Sequence, residues 1–149
     1  MGRRYSITLS TVNTAGVTAA VLTSAATVRP AMYDLLIGCT ATPADNAMNL
    51  DVKRFTAAGT TTAWTPIALD PADPASLTAS GYTATVEPTY TANAVLLRIG
   101  VNQRATFRWV ARDRSEILAP ATAANGMGFI STAIGGSAVI MLYTILFEE

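Results

Sequence analysis

Histidine is absent from the 149 residues, and cysteine occurs once, at Cys39. Without histidine the Ser-His-Asp and Cys-His arrangements of nucleophilic catalysis cannot be assembled, and the commonest metal ligand is missing. One cysteine allows no intrachain disulfide and no thiolate zinc site. Cys39 lies in an apolar stretch, where a thiol stays protonated and inert, so it reads as a structural residue. Charge is scarce as well: Asp, Glu, Lys and Arg make up 13% of the chain and cancel to a formal net charge of +0. That balance argues against a polyelectrolyte that binds nucleic acid, and an apolar fraction of 50% argues against disorder. A free monomer ordinarily surrounds itself with more charge than this, so part of the surface is expected to be covered by partners, most simply by further copies of the chain.

Long apolar runs are also missing. Residues 138–149 are very apolar but too short to span a bilayer, and they end in Glu148-Glu149. They read as a buried strand, and no membrane partner is expected. The start, Met1-Gly2-Arg3-Arg4-Tyr5, leads into the alternation Ser6-Ile7-Thr8-Leu9-Ser10 and not into the apolar core of a signal peptide, so the chain reads as one that is not secreted.

What is present is strand periodicity. Tyr5, Ile7 and Leu9 alternate with Ser6, Thr8 and Ser10, and Met48, Leu50 and Val52 alternate with Asn49, Asp51 and Lys53; each set suits a strand with one wet face. Residues 31–40 carry Met32, Tyr33, Leu35, Leu36 and Ile37 on both faces, which suits a central strand. Residues 14–28 read as two short strands. Residues 89–110 hold two alternating segments, with Val95, Leu97, Ile99 and Val101 in one and Phe107 and Trp109 in the other. The break at Asn102-Gln103-Arg104 is short, and an antiparallel hairpin is expected. Pro66, Pro71 and Pro74 exclude a central strand or helix interior between Trp64 and Leu77, and Gly135-Gly136 reads as the final turn.

The total is eight or nine strands with no helix long enough for a βαβ unit. The fold class expected is all-β: a single antiparallel β-sandwich domain over residues 1–149, with residues 1–25 an extended arm or the first strands. An eight-stranded jelly roll accounts best for the long central connection, and an immunoglobulin-like sandwich is the alternative.

The acids are few. Asp70 and Asp73 lie in a Pro-rich turn, and Asp113 and Glu116 lie in an Arg-flanked loop. Turn formation and solvation account for both pairs ahead of a glycosidase pair, and neither has the spacing of a calcium loop. Nine of the ten basic residues are arginine, and Arg98, Arg104, Arg108, Arg112 and Arg114 crowd around the expected hairpin. Arginine in such a cluster is either solvated or pairs with carboxylates at an interface. Gly126 and Gly128 lack the third glycine and the strand-to-helix context of a phosphate loop.

Five segments carry a resemblance: Thr42-Pro43-Ala44-Asp45-Asn46; Arg54-Phe55-Thr56-Ala57-Ala58-Gly59-Thr60; Leu69-Asp70-Pro71-Ala72-Asp73-Pro74; Val86-Glu87-Pro88-Thr89-Tyr90; and Asn102-Gln103-Arg104-Ala105-Thr106-Phe107-Arg108-Trp109-Val110. Together they look like a group of small tailed-bacteriophage virion proteins, over about residues 26–149. The resemblance implies a structural role on the head as a decoration or cement protein, in a virion assembled in the host cytoplasm. It carries over no catalytic, cofactor or metal residue.

Residues and resemblance together lead to the expectation of a non-enzymatic protein without cofactor or metal. It would associate with itself as a homotrimer and bind the major capsid protein, with no nucleic acid partner. The contact residues expected are the basic arm Arg3, Arg4 and Tyr5 and the charged loop Arg112, Asp113, Arg114 and Glu116. Residues 138–147 could serve as a central or interface strand, and burial of Leu142 is expected there. The alternative is a tail or fibre jelly-roll module that binds a host glycan through Trp64, Tyr82 and Tyr90. A hydrolase using Asp113 and Glu116 comes third.

Overall fold

The structure is a computed structural model and describes residues 2–134 and 138–149. Among these residues there is no helix. Twelve strands run in the order β1 (Arg4–Val12), β2 (Thr18–Thr23), β3 (Ala31–Ala41), β4 (Ala47–Ala57), β5 (Thr60–Trp64), β6 (Ile67–Ala68), β7 (Ala79–Val86), β8 (Thr89–Asn102), β9 (Phe107–Val110), β10 (Ile117–Leu118), β11 (Gly126–Ile134) and β12 (Ile140–Glu148). They form two antiparallel sheets of six strands. The first has the order β10-β3-β12-β1-β6, with β9 also pairing β3, and the second has the order β5-β7-β2-β11-β4-β8.

Alternation sets which side of each sheet is dry. In β1 the side chains of Tyr5, Ile7, Leu9 and Thr11 are buried and those between them are not. In β12 the buried set is Met141, Tyr143, Ile145 and Phe147, and in β4 it is Met48, Leu50 and Val52, while buried Phe55 lies on the other side of β4 against Tyr90. These rows meet Leu22 of β2, Leu35 and Ile37 of β3 and Phe129 of β11 in one apolar cluster between the sheets. Tyr5 stacks on Phe147 there, with ring centroids 5.6 Å apart. β3 is central as expected, flanked by β12 on one side and by β9 and β10 on the other. Its apolar residues break strict alternation because the ladder slips: Leu146 pairs with Asp34 but Phe147 pairs with Met32. The extra residue lets Met32 and Leu35 both point into the core.

The hairpin expected over residues 89–110 does not form. β8 is the edge of the second sheet, against β4, and β9 lies in the first sheet, against β3. The polar break between them is a corner held by Gln103, which is 1% exposed. Its N–H donates to the Asn46 carbonyl at 2.9 Å, and its Oε1 accepts from the Ala44 N–H at 3.1 Å. Alternation says which face a strand buries and nothing about which strand lies beside it.

Twelve strands replace the eight or nine expected; two of the additions, β6 and β10, have two residues each, too few to show a period. Residues 14–28 hold one strand, β2, and an isolated bridge between Ala25 and Val28. The turn expected at Gly135-Gly136 lies outside the described residues.

Candidate interaction surface

The basic start of the chain is built into the first sheet. The Arg3 N–H donates to the Glu149 carbonyl and the Glu149 N–H to the Arg3 carbonyl, both at 2.9 Å, so the two ends extend the β1–β12 ladder. Arg4 and Tyr5 open β1 itself. Tyr5 is fully buried, which removes it from a surface arm, and its hydroxyl donates to the Pro74 carbonyl at 3.1 Å. Burial first, and then the charge of Glu149, pushes its hydroxyl pKa up. A strand that must bury Ile7 and Leu9 also buries the residue two before Ile7.

Arg4 stays outside. Its Nε lies 3.3 Å from Oε2 of Glu148, its partner in the ladder, and its guanidinium carbon sits 5.4 Å from the centre of the Tyr33 ring. Arg3 turns the other way, with Nε 3.7 Å from Asp73, over a second hollow lined by Leu69 and Asp70.

The charged loop follows β9 and is a tight turn. Ser115 donates its N–H at 2.9 Å and its hydroxyl at 2.7 Å to the Arg112 carbonyl, and Arg114 takes a left-handed φ of 61°. This turn brings Arg112, Asp113 and Glu116 against Arg4. The four line one open depression of about 410 Å³ together with Tyr33, Glu148, Ala31 and Ala111. The two regions singled out in the sequence therefore meet in space, with Arg3, Tyr5 and Arg114 left out of the lining. Tyr33 and Glu148 were not foreseen. Pairing of β1 with β12 and of β12 with β3 places them there.

A second surface falls partly on residues 138–147, the stretch expected to serve as a central or interface strand. Val12, Ile140, Leu142 and Leu36 are exposed on the outer side of the first sheet, and Val110 lies beside them on β9. Toward β1 and β3 the neighbours of β12 are small or uncharged, with Ser10 and Gly38 flanking Leu142 and Thr8 and Leu36 flanking Thr144, whereas on the β9 side Leu36 pairs with Arg108 and Val110 with Asp34. Leu142 is 40% exposed, so the burial expected for it is not found. The outer side of the second sheet is different in kind, with Asn49, Asp51, Lys53 and Arg98 along β4 and β8.

Arginines of the cluster are spent partly within the chain. Arg98 holds Asp51, and the Arg108 Nε donates to the two oxygens of Asp34 at 3.0 and 3.2 Å. Asp34 is 5% exposed, so this pair closes a carboxylate that would otherwise lie unpaired on the first sheet. Asp70 accepts from the Ala72 N–H at 2.9 Å, as a turn residue does. The Cys39 thiol contacts Met141 Sδ at 3.1 Å, and burial pushes its pKa up. Among the described residues no group of three or more Cys, Asp or Glu side chains is placed to hold a metal ion. Trp64 and Tyr82 meet edge to face at 5.6 Å, but Tyr90 packs on Phe55 instead, so the three aromatics do not share one contact set.

No protein-family model, no curated protein and no solved structure matches this chain.

Proposed function

We propose that this chain is a structural virion protein of a tailed bacteriophage, a decoration or cement protein that binds the outside of the capsid and bridges major capsid subunits. The observation that carries this reading is the contrast between the two outer sheet faces. The first sheet presents an apolar patch of Val12, Leu36, Ile140 and Leu142, bordered by the Arg108–Asp34 pair and by a depression of mixed charge, and the second presents Lys53 and the Arg98–Asp51 pair to water. A face of the first kind suits contact with protein, and the depression with Arg4, Arg112, Asp113, Glu116 and Glu148 suits the polar rim of such a contact. The resemblance of the five quoted segments to phage virion proteins supports the same reading.

We read the sandwich further as a jelly roll. The pairing order β1-β12-β3-β9 in one sheet and β2-β11-β4-β8 in the other supports this, because consecutive strands of this set of eight cross between the sheets at every step but β4 to β8. β5, β6, β7 and β10 are then additions at the margins.

Bridging would stabilise an expanded shell by mass action, since the protein binds assembled lattice and not unfolded subunits, and many weak contacts act together. The test is co-sedimentation of the purified chain with shells that lack it, together with images of the occupied positions. Saturable binding at regular lattice points and a higher melting temperature of the shell are expected. Failure to bind expanded shells would overturn the reading, and binding to a host glycan in its place would move the protein to the tail or fibre.

A further inference from the structure

The sheet edges of this sandwich are not alike. In the first sheet one edge consists of short β9 and β10 along β3. At the other edge β6 flanks β1 at Tyr5 and Ser6, and further along β1 the Thr11 hydroxyl is bound to that of Thr83 in β7 at 2.6 Å. In the second sheet β5 has five residues, its pairing slips twice between Thr60 and Thr62, and Pro66 follows. Short strands, slips and proline are the usual means by which an edge is kept from pairing with another chain.

A further edge is β8, the longest strand at fourteen residues, whose sheet neighbour among the described residues is β4. Its first half carries such irregularities: Asn93 takes a φ of 59°, and the ladder with β4 shifts three times beyond Val52. From Leu97 to Asn102 the pairing is regular, with no proline, lysine or bulge. Among the described residues, no backbone bond from outside the β4 ladder reaches residues 97–101.

We propose that this half of β8 pairs antiparallel with the same segment of a second copy about a two-fold axis at Ile99, joining the two second sheets into one. Ile99 then faces Ile99 of the copy, Leu97 faces Val101, and Arg98 faces Gly100. Two features select a second copy in this register. Arg98, the one charge of the stretch, is drawn away from the edge by two hydrogen bonds to Asp51 on β4. Gly100 presents no side chain to the Arg98 stem that would lie opposite. Cross-strand partners must share a face for both cores to stay on the same side, so the axis can move only by whole residues. At Arg98 it would oppose two arginines. At Gly100 it would face two glycines and lose the apolar pair Leu97–Val101.

Five paired residues bury far less than the roughly 1,200–2,000 Å² of a standard interface, so the free pair is weak and is strengthened when copies are held side by side. A two-fold contact through this edge joins two chains, not the three expected from the sequence. The inference does not depend on what the outer face of the first sheet binds.

The test is sedimentation of the full chain in a concentration series up to about 1 mM, the weak end of specific association, with amide exchange read over residues 97–101. A reversible shift from 15.6 kDa to twice that mass, with slower exchange of those amides, is expected. Gly100→Arg should weaken association about tenfold or more by opposing Arg98. The fold should accept it, since a Cβ at this position meets only Asn49 Oδ1, at 3.6 Å. Gly100→Glu should leave the pair intact or tighten it. A monomer at every concentration, a trimer, or a dimer that responds equally to both variants would overturn the proposal.

Discussion

Asp51 and Arg98 face each other across the β4–β8 ladder, with Arg98 Nε donating to Oδ1 at 2.7 Å and Nη2 to Oδ2 at 2.8 Å. The Arg98 side chain is 62% exposed and that of Asp51 only 13%. Hydrogen bonding from Arg98, opposed by burial, holds the Asp51 carboxyl below its usual 3.8. A depressed folded-state value contributes stability that is present above the unfolded value and lost as the pH falls through the folded one. Asp51→Asn should therefore lose about 0.5–1 kcal/mol at neutral pH, the scale of a pair with one exposed end. Urea denaturation should show the gap to the unchanged protein closing as the pH falls below the usual carboxylate range and through the lowered folded-state value. A gap that persists in acid would place its origin elsewhere.

Glu149 ties the last strand to the Pro-rich connection. Its Oε2 accepts from Ser76 Oγ at 3.1 Å, from the Thr78 N–H at 3.1 Å and from Thr78 Oγ1 at 2.7 Å, and its Oε1 accepts from the Leu77 N–H at 2.9 Å. Thr78 is 1% exposed, so loss of the carboxylate strands polar groups away from water. Glu149→Ala should cost about 1–3 kcal/mol and speed protease cleavage within residues 70–78, with Glu149→Gln intermediate. An unchanged cleavage rate would mean that Pro71 and Pro74 alone order the segment.

The rows of β1 and β4 were legible in the sequence because each strand buries one face, so Tyr5, Ile7 and Leu9, or Met48, Leu50 and Val52, announce themselves by period. Central β3 was legible from apolar residues on both faces. Partners were not: Val95 to Val101 and Phe107 to Trp109 alternate equally well in one hairpin or in two sheets, and a buried Gln103 looks like any polar turn residue. The same blindness divided the interaction surface. Arg4 and the Arg112 loop drew notice separately by charge, whereas only the β1–β12–β3 ladder places Glu148 and Tyr33 between them. Leu142 reads as core by residue type, and its exposure is set by the parity of its pairing with Gly38 and Ser10.

That parity can be checked within β12. Ile145 is wholly buried between the sheets, and Ile145→Ala should cost about 2–5 kcal/mol. Leu142 lies on the other side of the strand, and Leu142→Ala should cost less than about 1 kcal/mol. Leu142→Glu should leave the chain folded while weakening shell binding in the co-sedimentation experiment. Collapse of the fold on that substitution would show that this face is core. A folded variant with unchanged shell binding would remove the face from the contact.

Alkaline pH offers a separate check on the second sheet. Tyr90 lies against Phe55 and over Gly128, with its hydroxyl 2.6 Å from Thr18 Oγ1. Burial pushes its pKa up to about 12, the Glu87 carboxylate adds to this, and the bond to Thr18 opposes it. Fully enclosed Tyr143 is pushed in the same direction by burial. A folded-state value above the unfolded value means that the unfolded chain gives up its proton first, so the stabilisation is complete below the unfolded value and lost as the pH rises through the folded one. Stability should fall between about pH 10 and pH 12, and tyrosinate absorbance from Tyr90 should appear only as the chain opens. Tyr90→Phe keeps the ring and removes the titrating group, so it should flatten part of that fall and leave the share due to Tyr143. An identical pH profile for the variant would show that Tyr90 titrates in water, outside the packing described.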